Sequence, residues 1–197
     1  MYVYHEGMRP DKGGCIPFFI FGGKMGKLLK KTVFSALCLA LCLILPGVTG
    51  HIPVIGKMLC PMHLPVLLCG FICGMPYGAL IGLIAPFLKM IITGTPVLYP
   101  DAVCMAAELL SYGFFAGLFY KILPKNTGCL YISLICAMLS GRLVWGVTKY
   151  LLLLNGKGFG LSAFWMGGFV KAAPGIAVQI ILIPLLVLAL RKSKLID

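Results

Sequence analysis

Long apolar runs, parted by short gaps that hold most of the charge, leave this chain only one kind of solvent. Charged residues are 11% of the 197 and hydrophobic ones 60%, with a mean hydropathy of +1.03. A soluble domain carries about 25% charge, so no water-facing surface can be assembled here. The chain reads as an all-α integral membrane bundle of about six transmembrane helices and not as a soluble enzyme. A formal net charge of +12 would suit a nucleic-acid binder. Here, though, the lysines and arginines gather in the gaps, as cytoplasmic loops do under the positive-inside rule.

The runs are Thr32 to Leu45, Leu64 to Cys73, Ala79 to Ile92, Asp101 to Ile122, Thr127 to Leu154 and Ala163 to Leu190. The first follows Lys24, Lys27, Lys30 and Lys31 and resembles a signal peptide. Pro46-Gly47-Val48-Thr49-Gly50-His51 offers no small-residue cleavage site, and more spans follow, so it reads as a retained helix. The second run is short for a full span and is parted from the third by Met75-Pro76-Tyr77-Gly78, a helix break. Gly70, Gly74, Gly78 and Gly82 recur every fourth residue, a spacing that lets helix backbones approach closely in lipid. Residues 1–26 form an N-terminal extension, a cytoplasmic tail or a stretch ahead of a natural start at Met25, and residues 27–197 the membrane domain. Basic clusters before the first run, between the fourth and fifth, and after the sixth fall on one side of a six-span chain. Both termini are therefore expected in the cytoplasm.

Four ionisable residues lie inside the apolar runs: Lys89, Glu108, Arg142 and Lys171. Each costs about 2.5–3.5 kcal/mol at a helix centre, and such residues usually face the bundle interior. At a rise of about 1.5 Å per residue, they lie roughly 5, 11, 18 and 12 Å from the outer ends of their runs. Helical spacing puts Asp101, Met105, Glu108 and Tyr112 on one face. It does the same for Arg142, Trp145, Gly146 and Lys149, and for Lys171, Gly175 and Gln179. Three cations against one carboxylate suggest an anionic ligand. The competing reading pairs Glu108 with one cation while the lysines snorkel outward.

Cysteines inside the runs (Cys38, Cys42, Cys69, Cys73, Cys104 and Cys136) read as small hydrophobes, and no CxxC occurs. The chain has no GxxxxGK[ST], no HExxH and no GxSxG. His51, Cys60, Met62 and His63 could attract a soft metal, although two histidines on an irregular loop are weak ligand geometry. The other reading makes the histidines loop hydrogen-bonders or neutral donors to a ligand. No motif calls for a cofactor.

In order and spacing, several segments resemble the substrate-binding S components of energy-coupling factor (ECF) vitamin transporters. They are Ala36-Leu37-Cys38-Leu39-Ala40, His51-Ile52-Pro53, and Leu59-Cys60-Pro61-Met62-His63-Leu64-Pro65. Gly70 to Gly82, Thr93-Gly94-Thr95-Pro96 and Glu108-Leu109-Leu110-Ser111-Tyr112-Gly113 complete the set. The resemblance spans Lys27 to Lys194, and the stretch before Met25 departs from it. It implies capture of a vitamin or related micronutrient, small and anionic as pantothenate is, at the plasma membrane of a prokaryote. Uptake would be driven by a shared transmembrane T protein and two ATPases. The resemblance puts Ala36 and Ala40 against the T protein. It puts the ligand near the outer face, between the first loop and the fourth to sixth helices. Candidate ligand contacts are Arg142, Lys171, Glu108, Lys89, Tyr112, His63, Trp145 and Asn155. A membrane enzyme using Glu108 beside Arg142, and a metal-uptake S component, are the alternatives.

Overall fold

The computed structural model describes residues 24–49, 60–124, 126–153 and 160–193, and all their regular structure is helical. In chain order, α1 is Lys24–Thr49, α2 His63–Cys73 and α3 Met75–Thr93. A wide turn at Leu98–Ala102 leads into α4 at Val103–Ile122, and α5 is Thr127–Leu153. The short α6, Leu161–Trp165, runs through a second wide turn, Met166–Val170, to α7 at Ala173–Lys192. The extension before Lys24 lies outside the described residues.

Five of these helices are long and apolar enough to cross a membrane: α1, α3, α4 with its leading turn, α5 and α7. The second apolar run, expected to be short for a full span, forms a sixth and shorter apolar helix. As α2 it has 11 residues, about 16 Å at 1.5 Å per residue, half the hydrocarbon thickness. It ends at Gly74, whose φ of 94° is a conformation that side chains rarely adopt, and α3 starts at the next residue. The chain thereby folds α2 back beside α3.

Glycines decide how α3 meets α4. A Cβ on Gly113 would collide with the Gly78 backbone, one on Gly117 with Met75, and one on Gly82 with Leu109. Gly70 of α2 meets the same seam, since its Cβ would lie 2.7 Å from the Gly113 carbonyl. Apolar side chains gain nothing by leaving lipid for protein. Helices in a membrane are held instead by close backbone contact and dispersion, which small residues allow. α1 makes a looser contact. It buries only Ser35, Cys38, Cys42 and Pro46, at 3-4-4 spacing, and leaves Leu28, Val33, Leu37 and Ile44 exposed. No disulfide joins the cysteines among the described residues.

A polar latch closes one end of the bundle. Arg191, in the last turn of α7, donates to Tyr120 Oη from Nε at 2.8 Å and from Nη2 at 2.5 Å. Its guanidinium also sits 5.1 Å from the Tyr120 ring centroid. Phe71 meets the same ring edge-on at 5.3 Å, so α2, α4 and α7 converge there. Tyr120→Phe keeps the ring and removes the acceptor. The expected loss is about 1–2 kcal/mol, toward the low end for a bond to a charged group because Arg191 stays partly exposed. A lowered thermal midpoint in detergent checks this; an unchanged one means that the latch is ornamental.

Candidate functional site

The site is assembled at the start of α2. Cys60 adopts a left-handed φ of 46°, and its carbonyl accepts the His63 N–H at 3.0 Å. Such a backbone costs a residue with a side chain of order 1 kcal/mol and is found preferentially where structure serves function. The Cys42 thiol of α1 donates to the Met62 carbonyl at 3.7 Å and pins this turn. His63 is thereby presented inward as the first residue of α2, 3% exposed.

Facing it, α4 presents Glu108 and, one turn on, Tyr112, while α5 presents Arg142. Glu108 is 3% exposed and Arg142 6%. Arg142 Nη1 lies 2.8 Å from Glu108 Oε1, and His63 Nε2 lies 3.2 Å from the same oxygen. The Tyr112 ring meets the His63 imidazole edge-on at 5.1 Å and 68°. Tyr112 has room because residue 141, just before Arg142, is glycine: a Cβ there would fall 2.6 Å from the ring. Arg142 Nη2 makes a weak contact with the Cys60 sulfur at 3.9 Å.

These contacts to Glu108 Oε1 are close but lack hydrogen-bond alignment. Both His63 ring nitrogens, Glu108 Oε1 and Arg142 Nε are buried with no hydrogen-bond partner in the protein. In an arginine, Nε and Nη2 lie along one edge of the planar fork, the edge that grips a carboxylate with two parallel bonds. Glu108 occupies Nη1, so this other edge carries only the thiol contact. Removing Glu108 outright would strand a buried guanidinium, a change that typically costs about 3–5 kcal/mol.

Beside the cluster lies a cleft of about 120 Å³ between α5 and α7. Ile135, Met138 and Leu139 form one wall, with Phe169, Ile176 and Ile180 opposite, and Tyr112 and Arg142 also line it. The segment carrying Phe169 is held to α5 by aromatic contacts. Trp145 stacks on Phe164 at 6.2 Å, and Phe164 meets Phe169 at 5.9 Å. Gly146, Gly167 and Gly168 give these rings room.

A second polar contact ties the turn before α4 to α5. Lys149 Nζ lies 3.2 Å from Asp101 Oδ1 and 5.3 Å from the Trp145 ring centroid. Tyr99 Oη donates to the Leu152 carbonyl at 2.6 Å. Asp101 therefore does not join Glu108, although their spacing suggested one face: the wide turn at 98–102 breaks the helical phase and leaves Asp101 exposed.

Of the candidates read from sequence, His63, Glu108, Tyr112 and Arg142 come together. Trp145 supports the aromatic segment. Lys171 does not join them. It is exposed in the turn before α7, where Pro174 has no N–H to continue a helix from 166–170. Lys89 is half-buried, one turn before the end of α3. Among the described residues neither lysine makes an ion pair. His51 and Asn155 lie outside the described residues. Gln179, set on a face with Gly175 but not chosen as a contact, is 2% exposed with its Nε2 unpartnered. The cleft's aliphatic walls went unrecognised, because such side chains look the same in sequence as lipid-facing ones. Among the described residues, no group of three His, Cys, Asp or Glu side chains is placed to hold a metal ion.

The family described as "ECF transporter, substrate-specific component" has a model that matches residues 30–187. No curated protein and no solved structure matches the chain.

Proposed function

The chain belongs to the substrate-specific components of ECF transporters, and we propose that it captures a small anionic, vitamin-like compound, of which pantothenate is an example. It is a multi-pass membrane protein and the substrate-binding subunit of its transporter. Capture takes place from outside the cell at the plasma membrane of a prokaryote, with both termini in the cytoplasm. A T protein and two ATPases drive uptake. The subunit works by binding and performs no bond chemistry of its own.

One observation carries the ligand reading: the Nε–Nη2 edge of buried Arg142, with Nε unpartnered, while Glu108 holds Nη1. A ligand carboxylate on that edge would gain two charge-assisted hydrogen bonds, and Glu108 would keep the guanidinium compensated when the site is empty. His63 and Gln179 supply donors or acceptors for the rest of a polar head. The site's depth agrees with capture from outside. Glu108 stands 12 residues before Tyr120 of the latch, about 18 Å at 1.5 Å per residue, and the latch belongs to the basic, cytoplasmic end of α7. The test is to purify the protein without added vitamin and identify by mass spectrometry what comes with it. An anionic compound that is retained by the parent and lost in Arg142→Lys is expected. Recovery of lipid alone from both proteins would overturn the reading.

Assembly is read from α1, where Ala36 and Ala40 lie on an exposed face among Val33, Leu37 and Ile44. Small residues four apart allow a partner helix to approach, in contacts worth about 1–2 kcal/mol in model peptides. Ala36→Leu and Ala40→Leu should each lower co-purification with the T protein and leave ligand affinity unchanged. Loss of ligand affinity with co-purification intact would reverse the two roles.

A further inference from the structure

We propose that the basic end of the bundle, where α1, α4 and α7 gather around the last turn of α2, seats the headgroup of an anionic phospholipid. Cations there outnumber every protein counter-ion. Among the described residues only Asp101 and Glu108 are acidic. Both are engaged elsewhere, Asp101 by Lys149 and Glu108 by Arg142 and His63. Against them stand four lysines in the first eight residues of α1, Lys121 at the end of α4, and Arg191 and Lys192 at the end of α7. Tyr120 holds Arg191, whereas Lys30, Lys31, Lys121 and Lys192 are exposed.

The fold brings these cations to one place at headgroup depth. α1 has 26 residues, about 39 Å at 1.5 Å per residue, against a hydrocarbon core of about 30 Å. Its lysines set the overhang at this end. Lys31 stands one turn before Ser35, on the stripe of α1 that meets α2, and the Cys73 thiol of α2 donates to the Lys31 carbonyl at 3.4 Å. On the same turn of α2, Phe71 meets Tyr120, which accepts from Arg191. The end of α2 thereby joins the basic start of α1 to the basic ends of α4 and α7. Apolar neighbours select a lipid over a soluble anion. Leu28, Leu29 and Val33 are exposed beside Lys30 and Lys31, and exposed Ile122 follows Lys121. A phosphate on the lysines lays its acyl chains along those side chains, whereas free phosphate meets the cations alone. A zwitterionic headgroup carries its own cation and gains less from this end.

The experiment titrates the full chain in neutral detergent with dioctanoyl phosphatidylglycerol and with dioctanoyl phosphatidylcholine, and follows the thermal midpoint. Stabilisation tracks occupancy, so apparent affinities can be read from the titrations. Equal acyl chains leave headgroup charge as the main difference. Phosphatidylglycerol should bind at least tenfold more tightly, and raising salt from about 0.05 to about 0.5 M should remove most of that advantage. Lys31→Gln, Lys121→Gln and Lys192→Gln should each weaken its binding by about fivefold. Lys171→Gln is the control, since it removes an exposed cation from the opposite end of α7 and should leave the affinity unchanged. All four replace exposed side chains, so without lipid each should melt as the parent does, and a variant that does not is replaced by the Arg substitution, which should bind as the parent. Equal binding of the two lipids overturns the inference. So does an equal loss in Lys171→Gln, which would make net charge the attraction rather than this end of the bundle. Inorganic phosphate that stabilises the chain as well as phosphatidylglycerol does would make the site one for a soluble anion and equally refute the lipid.

Discussion

Arg142→Lys is expected to weaken binding of the co-purified ligand by roughly 10- to 150-fold, although the charge is retained. The estimate takes one hydrogen bond to a charged group at about 1.5–3 kcal/mol, with 1.4 kcal/mol per tenfold in affinity. Lysine can still approach Glu108 as a point charge, so the buried carboxylate stays compensated and the fold should hold. What disappears is the planar edge. With Nη1 given to Glu108 at 2.8 Å, the parent still offers Nε and Nη2 together, whereas an ammonium drawn to Glu108 has no second fixed donor to orient a ligand. Titration calorimetry on parent and variant, each with a thermal melt as a folding control, measures the effect. Equal affinities at equal stability would make Arg142 a structural partner of Glu108 and remove the anion from the proposal.

Gly113→Val is expected to cost at least about 3 kcal/mol, the upper end for overpacking a well-filled interior. A flexible side chain could rotate away from the added methyls. Here the nearest atoms belong to the Gly78 backbone, so α3 and α4 must separate. Separation would open the seam from Gly117 to Gly82 and move Glu108, which precedes Leu109 at the Gly82 contact. Loss of a monodisperse peak in size-exclusion chromatography and loss of the thermal transition are the readouts. Gly128→Ala is the control: nothing lies within 4 Å of its added Cβ, so stability should hold. Equal behaviour of the two variants would refute the close backbone seam.

Hydropathy alone carries the membrane assignment and most helix positions, because a chain in lipid must bury its backbone polarity in helices long enough to cross. The glycine spacing likewise foretold a close backbone approach by Gly70, Gly78 and Gly82, since such approach in a membrane needs small residues, but not that α4 is the partner or that Gly74 serves the turn. The expense of an ion in lipid singled out Glu108 and Arg142, and the structure pairs them. That same expense pointed equally to Lys89 and Lys171, which fall elsewhere. Spacing on an ideal helix cannot foresee the wide turns at 98–102 and 166–170, and each shifts the phase of the residues beside it. Pairing across helices depends on depth and rotation, so His63 joining Glu108, the Nε–Nη2 edge of Arg142 that Glu108 leaves open and the unpartnered Gln179 amide required the fold. The cleft is the extreme case. Its isoleucines, leucine and methionine are indistinguishable in sequence from those that meet lipid, and only packing α5 against α7 makes them a wall.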